Sequence, residues 1–249
     1  MLKILLSGAC GRMGRQVAAL AEDEQAVIAA GVDVRSESYG AFPVYPSFSL
    51  VKEEADVIVD FSRPEGLGAL LAYARVHRMP AVLASTGYND SDLNLIREAA
   101  GDIPIFRSAN MSLGVYVLKS LARQAARLLP GFDIEIIEKH HNQKIDAPSG
   151  TALMLYDAVS LPDSQPVFGR SGRTQKREKN EIGVHAIRGG TVPGEHEVGF
   201  YGPAEVVTLS HSAQDRSIFA RGALRAARFL QGQAPGEYDM DALAKSMMK

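Results

Sequence analysis

The run LKILL at residues 2–6 leads directly into GACGRMG at residues 8–14, and a helical pattern follows. No other feature narrows the fold of this chain so far. The apolar run has the length of a strand, and Ser7 with Gly8 ends it. Residues 12–21 have helical spacing, with Met13, Val17, Ala18 and Leu20 as the expected inward positions. Residues 26–34 read as a second strand that ends around Asp33. Strand, glycine turn, helix and strand together make a βαβ unit. In such a unit Gly8 permits the tight turn, Gly11 lets backbone approach a pyrophosphate, and Gly14 lets the helix pack close on the sheet. The N–H groups that open the helix attract phosphate. Glycines also mark plain turns, so the context decides: a strand before, a helix after, and an acid about 20 residues beyond the loop. Asp33 is expected to accept hydrogen bonds from ribose hydroxyls, which favours NADH. Arg35 has two open roles, meeting a 2′-phosphate as in NADPH or standing as a solvated loop charge.

Strands and helices keep alternating through residue 107. Strands are expected at residues 55–61, 80–84 and 103–107, and helices at 64–76 and 91–100. Strands without polar alternation suggest a parallel sheet covered on both faces. The pattern then changes. A long helix is expected at 113–129, an isoleucine-rich strand at 132–140, and a helix at 149–161. Three further strands, at 182–188, 195–201 and 205–211, are separated by turn signals and read as antiparallel. Residues 216–230 are again helical. The expected fold class is α/β: an N-terminal Rossmann-type parallel sheet domain plus a C-terminal α+β domain with an open mixed or antiparallel sheet. The boundaries place residues 1–111 and 214–249 in a dinucleotide-binding domain and residues 112–213 in a substrate-binding and oligomerisation domain.

The densest chemistry is EKHHNQKIDAPSGTA at residues 138–152. His140 and His141 can give or take a proton near neutrality. Lys144 is a compact positive charge suited to a carboxylate. Pro148 suits the entry to a helix, Ser149 is a good N-cap, and Gly150 and Thr151 fall in the first turn. N–H groups there lack intrahelical partners and favour an anion. One short segment thus offers two anion sites and a proton donor, as a dicarboxylate requires. Each part also has a plain reading: a strand end for the histidines and a simple cap for Ser149. A metal site is not expected, because adjacent histidines do not easily share an ion.

A net charge of −2 gives no general electrostatic case for nucleic acid or an anionic membrane. Cys10 is the single cysteine, so no disulfide framework exists, and a reducing compartment fits. No secretory signal or spanning segment is read, and a cytoplasmic location is expected.

The sequence resembles the 4-hydroxy-tetrahydrodipicolinate reductase family, historically dihydrodipicolinate reductase, nearly end to end. GACGRMG, DFSRPEG at 60–66, ASTG at 84–87, SANMSLG at 108–114, RGGTVPGEH at 188–196 and GALRAARFL at 222–230 all take part, and the segment at 138–152 is the most specific. The resemblance implies reduction of a cyclic dicarboxylate with NADH and/or NADPH in lysine and diaminopimelate biosynthesis. It implies that Gly8, Ala9, Cys10, Gly11, Arg12 and Met13 cradle the pyrophosphate and that Asp33 binds ribose. Ala84, Ser85, Thr86, Ser108, Ala109, Asn110 and Met111 would line the nicotinamide end. His140 matches the family's proton donor/acceptor and Lys144 its catalytic proton donor. His141, Ser149, Gly150 and Thr151 would bind substrate. Tetramers would form through the sheet of the second domain. Family members often have GTTG where this chain has ASTG, and many carry a basic residue where Val34 stands, with Arg35 one position later.

Several residues have plainer readings. Arg188 is open between a substrate contact and a strand-end turn, Glu195 and His196 order that turn, and His77 and His185 are structural or solvated. The basic stretch 170–179 is a solvated loop, with a lid as the sharper alternative. Two rival functions remain: a related amino- or oxo-acid dehydrogenase, which is expected to lack the His-His-Lys cluster, and a non-catalytic redox sensor, which is expected to carry an effector module.

Overall fold

The computed structural model describes residues 1–172 and 176–248. The chain separates into two compact units, Met1–Ser112 with Arg216–Lys249, and Leu113–Asp215.

The first unit opens with β1 (Leu2–Ser7), α1 (Arg12–Leu20), β2 (Ala26–Val32) and β3 (Val44–Tyr45). It continues through β4 (Val57–Asp60), α2 (Leu67–Val76), β5 (Ala81–Leu83), α3 (Asp90–Ala100) and β6 (Pro104–Arg107). The second unit contains α4 (Leu113–Leu128), β7 (Asp133–His140), α5 (Gly150–Val159), β8 (Gln165–Phe168), β9 (Glu181–Arg188), β10 (Glu195–Tyr201) and β11 (Val206–Ser212). The chain then returns to the first unit with α6 (Ser217–Phe229), β12 (Gly236–Tyr238) and α7 (Met240–Met247).

The first sheet has seven strands in the order β12-β6-β5-β4-β1-β2-β3, with every pairing parallel. Its central strands are buried on both faces. Leu5 and Ile58 pack with Leu70, Leu71, Ile96 and Ala99 of α2 and α3. Side chains alternate along a strand, so Ile4, Leu6, Val57 and Val59 point the other way and are equally buried. This is why the strands lack polar alternation. In α1 only Gly14 and Val17 are fully buried, while Met13, Ala18 and Leu20 are half-buried.

The second sheet is mixed, in the order β11-β10-β7-β9-β8. Strand β7 pairs antiparallel with β10 and parallel with β9. The last three strands do alternate in direction, as expected, but β9 is not the neighbour of β10: it pairs in parallel with β7, which makes the sheet mixed. The turn signals at 192–194 mark where the chain reverses but not beside which strand it returns. Strand β7 lies between β9 and β10, so the connection passes over the end of β7. There Gly189 N–H donates to His140 O at 2.9 Å and Asn142 N–H donates to Gly190 O at 3.2 Å. Helices α4 and α5 cover one face, where Leu118, Ala122, Ala152 and Leu155 pack on Ile136, Val184, Val198 and Phe200.

Strands β3, β8 and β12 and helix α7 were not anticipated. The strands have only two to four residues, too short for a period to register. Arg170 pairs with Glu135 and Glu181, and Arg177 with Asp133 and Glu135. The described ends of the basic stretch are thus tied rather than simply solvated, while residues 173–175, at the centre of the expected lid, lie outside the described residues. Among the described residues no helix is long and apolar enough to cross a membrane.

Candidate active site

In the first unit the chemistry gathers at the carboxyl ends of parallel strands, where open α/β sheets bind ligands. Gly8 turns off β1 with φ +74°, and a Cβ there would stand 2.7 Å from the carbonyl of Phe61. Gly11 caps α1 without a side-chain hydrogen bond, and the first turn holds no acid. The opening N–H groups of α1 are therefore available to an anion. A Cβ on Gly14 would lie 2.3 Å from Gly8 O, so the helix sits too close for any side chain.

Asp33 is held by two backbone donors, Cys10 N–H at 3.0 Å and Arg35 N–H at 3.1 Å. A carboxylate has about four acceptor positions, so capacity remains for ribose. Arg35 Nε is 3.5 Å from Asp33 Oδ1, and its side chain is half exposed. Tyr39, which the sequence did not flag, donates to Ala9 O at 2.5 Å, and Arg15 lies 4.3 Å over its ring. Burial pushes the Tyr39 phenol up to about 12. These features fit a dinucleotide: a backbone cradle that side chains would fill, a helix start, and an oriented acid.

Buried Asp60 organises the next loops, accepting from Ser62 N–H at 3.1 Å and from the Ser85 hydroxyl at 2.7 Å. Ser85 therefore points inward and shapes its loop, whereas Ala84 is half-buried and Thr86 is exposed. Ser108 donates to Asn110 O at 2.7 Å, and Asn110 Oδ1 accepts from Ser112 N–H at 2.8 Å. Ala109 is exposed and Met111 buried. Cys10 is buried as a small filler, its Sγ 3.4 Å from Glu37 O.

In the second unit the strand period places Ile136, Glu138 and His140 on the helix-covered face of β7, and all three are buried. Glu138 is fully buried and accepts four hydrogen bonds. His140 Nδ1 lies 2.6 Å from Oε2, Arg188 donates at 2.8 and 2.7 Å to the two oxygens, and Ser149 N–H donates to Oε1 at 2.9 Å. Burial alone would push this carboxyl up, but Arg188, His140 and the Ser149 N–H outweigh it and hold it below its ordinary value. For His140 burial wins: it lowers the imidazole despite Glu138, and Lys144 and Arg188 add to the lowering.

His196 stands opposite Glu138 across the β10–β7 pairing, its ring 5.1 Å from that of His140. Burial pushes it down to about 4, with His140 as the next cause. Its Nε2 is 3.3 Å from Ser149 Oγ. Ser149 caps α5, accepting from Ala152 N–H at 3.2 Å. Gly150 is exposed with open space beside it, and Thr151 is half-buried. Lys144 Nζ lies 2.8 Å from Asp146 Oδ1. His141 is half-buried, and its carbonyl accepts from Lys144 N–H at 3.1 Å.

The fold thus brings His140 and Ser149 together around Glu138, with Lys144 near enough to weigh on the titration of His140. The sequence reading missed Glu138, the grip of Arg188 upon it, and the burial of His196. One signal was available: Glu138 shares a strand face with Ile136 and His140, and a buried charge must be paired. His185 is paired with Glu135 at 2.7 Å, and His77 stacks 4.2 Å from Tyr73.

The sequence model described as dihydrodipicolinate reductase, N-terminus, matches residues 2–111, and its C-terminus counterpart matches residues 114–243. The 4-hydroxy-tetrahydrodipicolinate reductase of Caldanaerobacter subterraneus subsp. tengcongensis is 52% identical, covering 98% of this chain and 99% of that protein. Its namesake from Clostridium tetani is 47% identical, over 99% and 98% of the two chains. Among solved structures, a dipicolinate-bound dihydrodipicolinate reductase from Paenisporosarcina sp. TG-14 superposes with a TM-score of 0.80 at 22% identity, covering 96% of this chain and 97% of that one.

Proposed function

The chain belongs to the dihydrodipicolinate reductase family, and from that premise we propose how its own residues perform the family's reaction. It is an oxidoreductase that reduces 4-hydroxy-tetrahydrodipicolinate to tetrahydrodipicolinate with a nicotinamide cofactor, in lysine and diaminopimelate biosynthesis. The rival readings as a sensor or a related dehydrogenase fall with that membership.

One observation carries the residue assignment: a buried carboxylate–imidazole pair adjoins a helix start and an ammonium group. In this reading the first unit holds the dinucleotide and the second holds the dicarboxylate. Gly8, Ala9, Cys10, Gly11, Arg12 and Met13 hold the pyrophosphate. Asp33 holds the ribose, and the loops at Ala84, Ser85 and Thr86 and at Ser108, Ala109, Asn110 and Met111 hold the nicotinamide end. A nicotinamide held there would supply the hydride for the reduction. Gly150 and Thr151 N–H groups and the Lys144 ammonium bind substrate carboxylates, assisted by His141. The Ser149 hydroxyl is already engaged as a cap, so Ser149 contributes by shaping that helix start. His140 delivers a proton from Nε2 to the enamine carbon that reduction leaves, and the matching position of Lys144 makes it a second proton source.

Arg35 beside Asp33 supports use of both NADH and NADPH. The open face of the second sheet, with Ile187, Tyr201 and Val206 exposed, supports association into a tetramer there. A cytoplasmic site of action suits such a biosynthetic role. Removing one general acid costs about 100- to 10,000-fold in rate. His140→Ala should therefore lose at least about 100-fold in kcat when cofactor absorbance is followed with substrate generated in situ. Full turnover in that variant rejects the assignment.

A further inference from the structure

We propose that Glu138 is a positioning residue for the reduction: clamped by Arg188 and the Ser149 N–H, it fixes His140 as the Nδ1–H tautomer, so that the ring exchanges its proton only through Nε2. The inference rests on the proton-transfer reading of His140 given above.

Four observations carry it. Glu138 is fully buried, so its carboxylate has no water to turn toward. Both oxygens are taken by donors from other elements, Arg188 on β9 and Ser149 at the start of α5. The contact to His140 Nδ1 is 2.6 Å, just below the roughly 2.7–2.9 Å of charge-assisted N–H···O bonds. Finally, the opposite edge of the ring is kept clear. A Cβ on Gly194 would stand 3.0 Å from His140 Nε2 and 3.4 Å from Cδ2, so a side chain there would crowd the nitrogen that glycine leaves room beside. Ser149 ties the arrangement to the helix whose start would receive a substrate carboxylate. The acid that orients the proton donor and the N–H groups that would orient the substrate are thus parts of one rigid construction.

The charges facing His140 are Glu138 on its own strand, Lys144 just beyond it and Arg188 on β9, with His196 on β10 as the neighbouring imidazole. His211 on β11 faces His196 across the next pairing. Neutralising Glu138 leaves Lys144 and Arg188, both positive. The protonated form of His140 then loses the carboxylate that directly counters its charge. The limb on which kcat falls with rising pH must move to lower pH.

The test uses the full-length protein with bound cofactor. Nitrogen-15 NMR of histidine-labelled protein above neutral pH, with His140 assigned by loss of its signal in His140→Gln, should show Nδ1 protonated and Nε2 bare. Glu138→Gln should lower kcat by about 10- to 100-fold, by analogy with the cost of losing the partner that orients a metal-ligating histidine. Substrate KM and cofactor affinity should stay within about threefold while the falling limb moves down in pH; a purely structural role would move neither limb nor tautomer. An Nε2–H signal overturns the proposal even if Glu138→Gln does not fold, because that measurement needs only the wild-type chain and one assignment variant. Unchanged kcat and pH limb in a folded Glu138→Gln also overturn it. Full turnover in His140→Ala would sink the reading it rests on, whereas an impaired His140→Ala beside an Nε2–H signal would sink the positioning role alone.

Discussion

The two candidate sites are built from opposite materials. In the first unit the proposed cradle rests on residues without side chains: Gly8, Gly11 and Gly14 would clear a path for backbone to meet a phosphate. In the second unit nearly every contribution is a side chain: Glu138, His140, Arg188 and His196 meet from three strands, and α5 adds Ser149. The proposed cradle should therefore fail when atoms are added, and the side-chain cluster when atoms are removed. Such a difference also sets how each site responds to pH, since backbone does not titrate, whereas burial lowers the imidazoles of the cluster and its donors lower Glu138.

Gly14→Ala challenges the first half of that contrast with the largest effect. The added Cβ would lie 2.3 Å from Gly8 O and 2.6 Å from Ala9 O, both backbone atoms that cannot rotate away. Overpacking of this kind costs about 1–3 kcal/mol in stability; a loop that relieves it by moving off its binding geometry must be restored on binding, so cofactor affinity measured by titration should fall by up to about 100-fold. Wild-type affinity would show that the loop is not the cradle.

The second half predicts acid sensitivity. His196 is pushed from 6.5 down to about 4, so it stays neutral in the fold while the unfolded chain binds a proton. Its folded value lies below its unfolded one, so stability is unaffected above about pH 6.5 and falls as the pH drops toward about 4. From about pH 7.5 to about pH 5 the loss through this residue is about 2 kcal/mol. Glu138 acts in the same direction, because its stabilisation is lost as the pH falls through its lowered folded value. Urea midpoints at the two pH values should converge in His196→Gln relative to wild type. An equal pH dependence in both proteins would mean that His196 is not the buried neutral imidazole described.

The contrast in materials also explains what the sequence could and could not tell. Glycine spacing, a preceding strand and an acid near residue 33 are all local, so the cradle was legible from about thirty consecutive residues. The histidines and Lys144 were legible for the same reason. Arg188 and His196 were not, because their meeting with His140 depends on β7 lying between β9 and β10, and register between distant strands leaves no local mark. The parallel pairing of β9 with β7 left no mark in the sequence for the same reason. Glu138 falls between these cases: its strand face was readable, but its partners were not.

Lys144→Ala probes a weaker side-chain contribution. Its ammonium is paired with Asp146 at 2.8 Å, and that carboxylate is more than half exposed. An incoming dicarboxylate must compete with Asp146, so the net gain is smaller than for a free ammonium. A hydrogen bond to a charged group is worth about 1.5–3 kcal/mol, and pyridine-2,6-dicarboxylate should bind about 10- to 100-fold more weakly to the variant by calorimetry. A change below about twofold would place the carboxylate elsewhere.

Cofactor choice should show the smallest effect, because it turns on two opposing side chains, Asp33 and Arg35, at the edge of a site otherwise made of backbone. Asp33 presents a carboxylate oriented by Cys10 and Arg35 N–H groups, which suits ribose hydroxyls and opposes a 2′-phosphate. The Arg35 guanidinium is 3.5 Å away and half exposed, free to turn toward that phosphate. The two tendencies oppose each other within one loop, and exposed ion pairs of this kind contribute only about 0–1 kcal/mol. Arg35→Ala should therefore weaken NADPH by about threefold to fivefold and leave NADH nearly unchanged. Asp33→Ala should weaken NADH by about tenfold and narrow the difference between the cofactors, since the acid that repels the phosphate is gone. If both variants bound both cofactors as the wild type does, the adenosine end would lie away from β2, and the side-chain half of the cofactor site would have to be sought elsewhere.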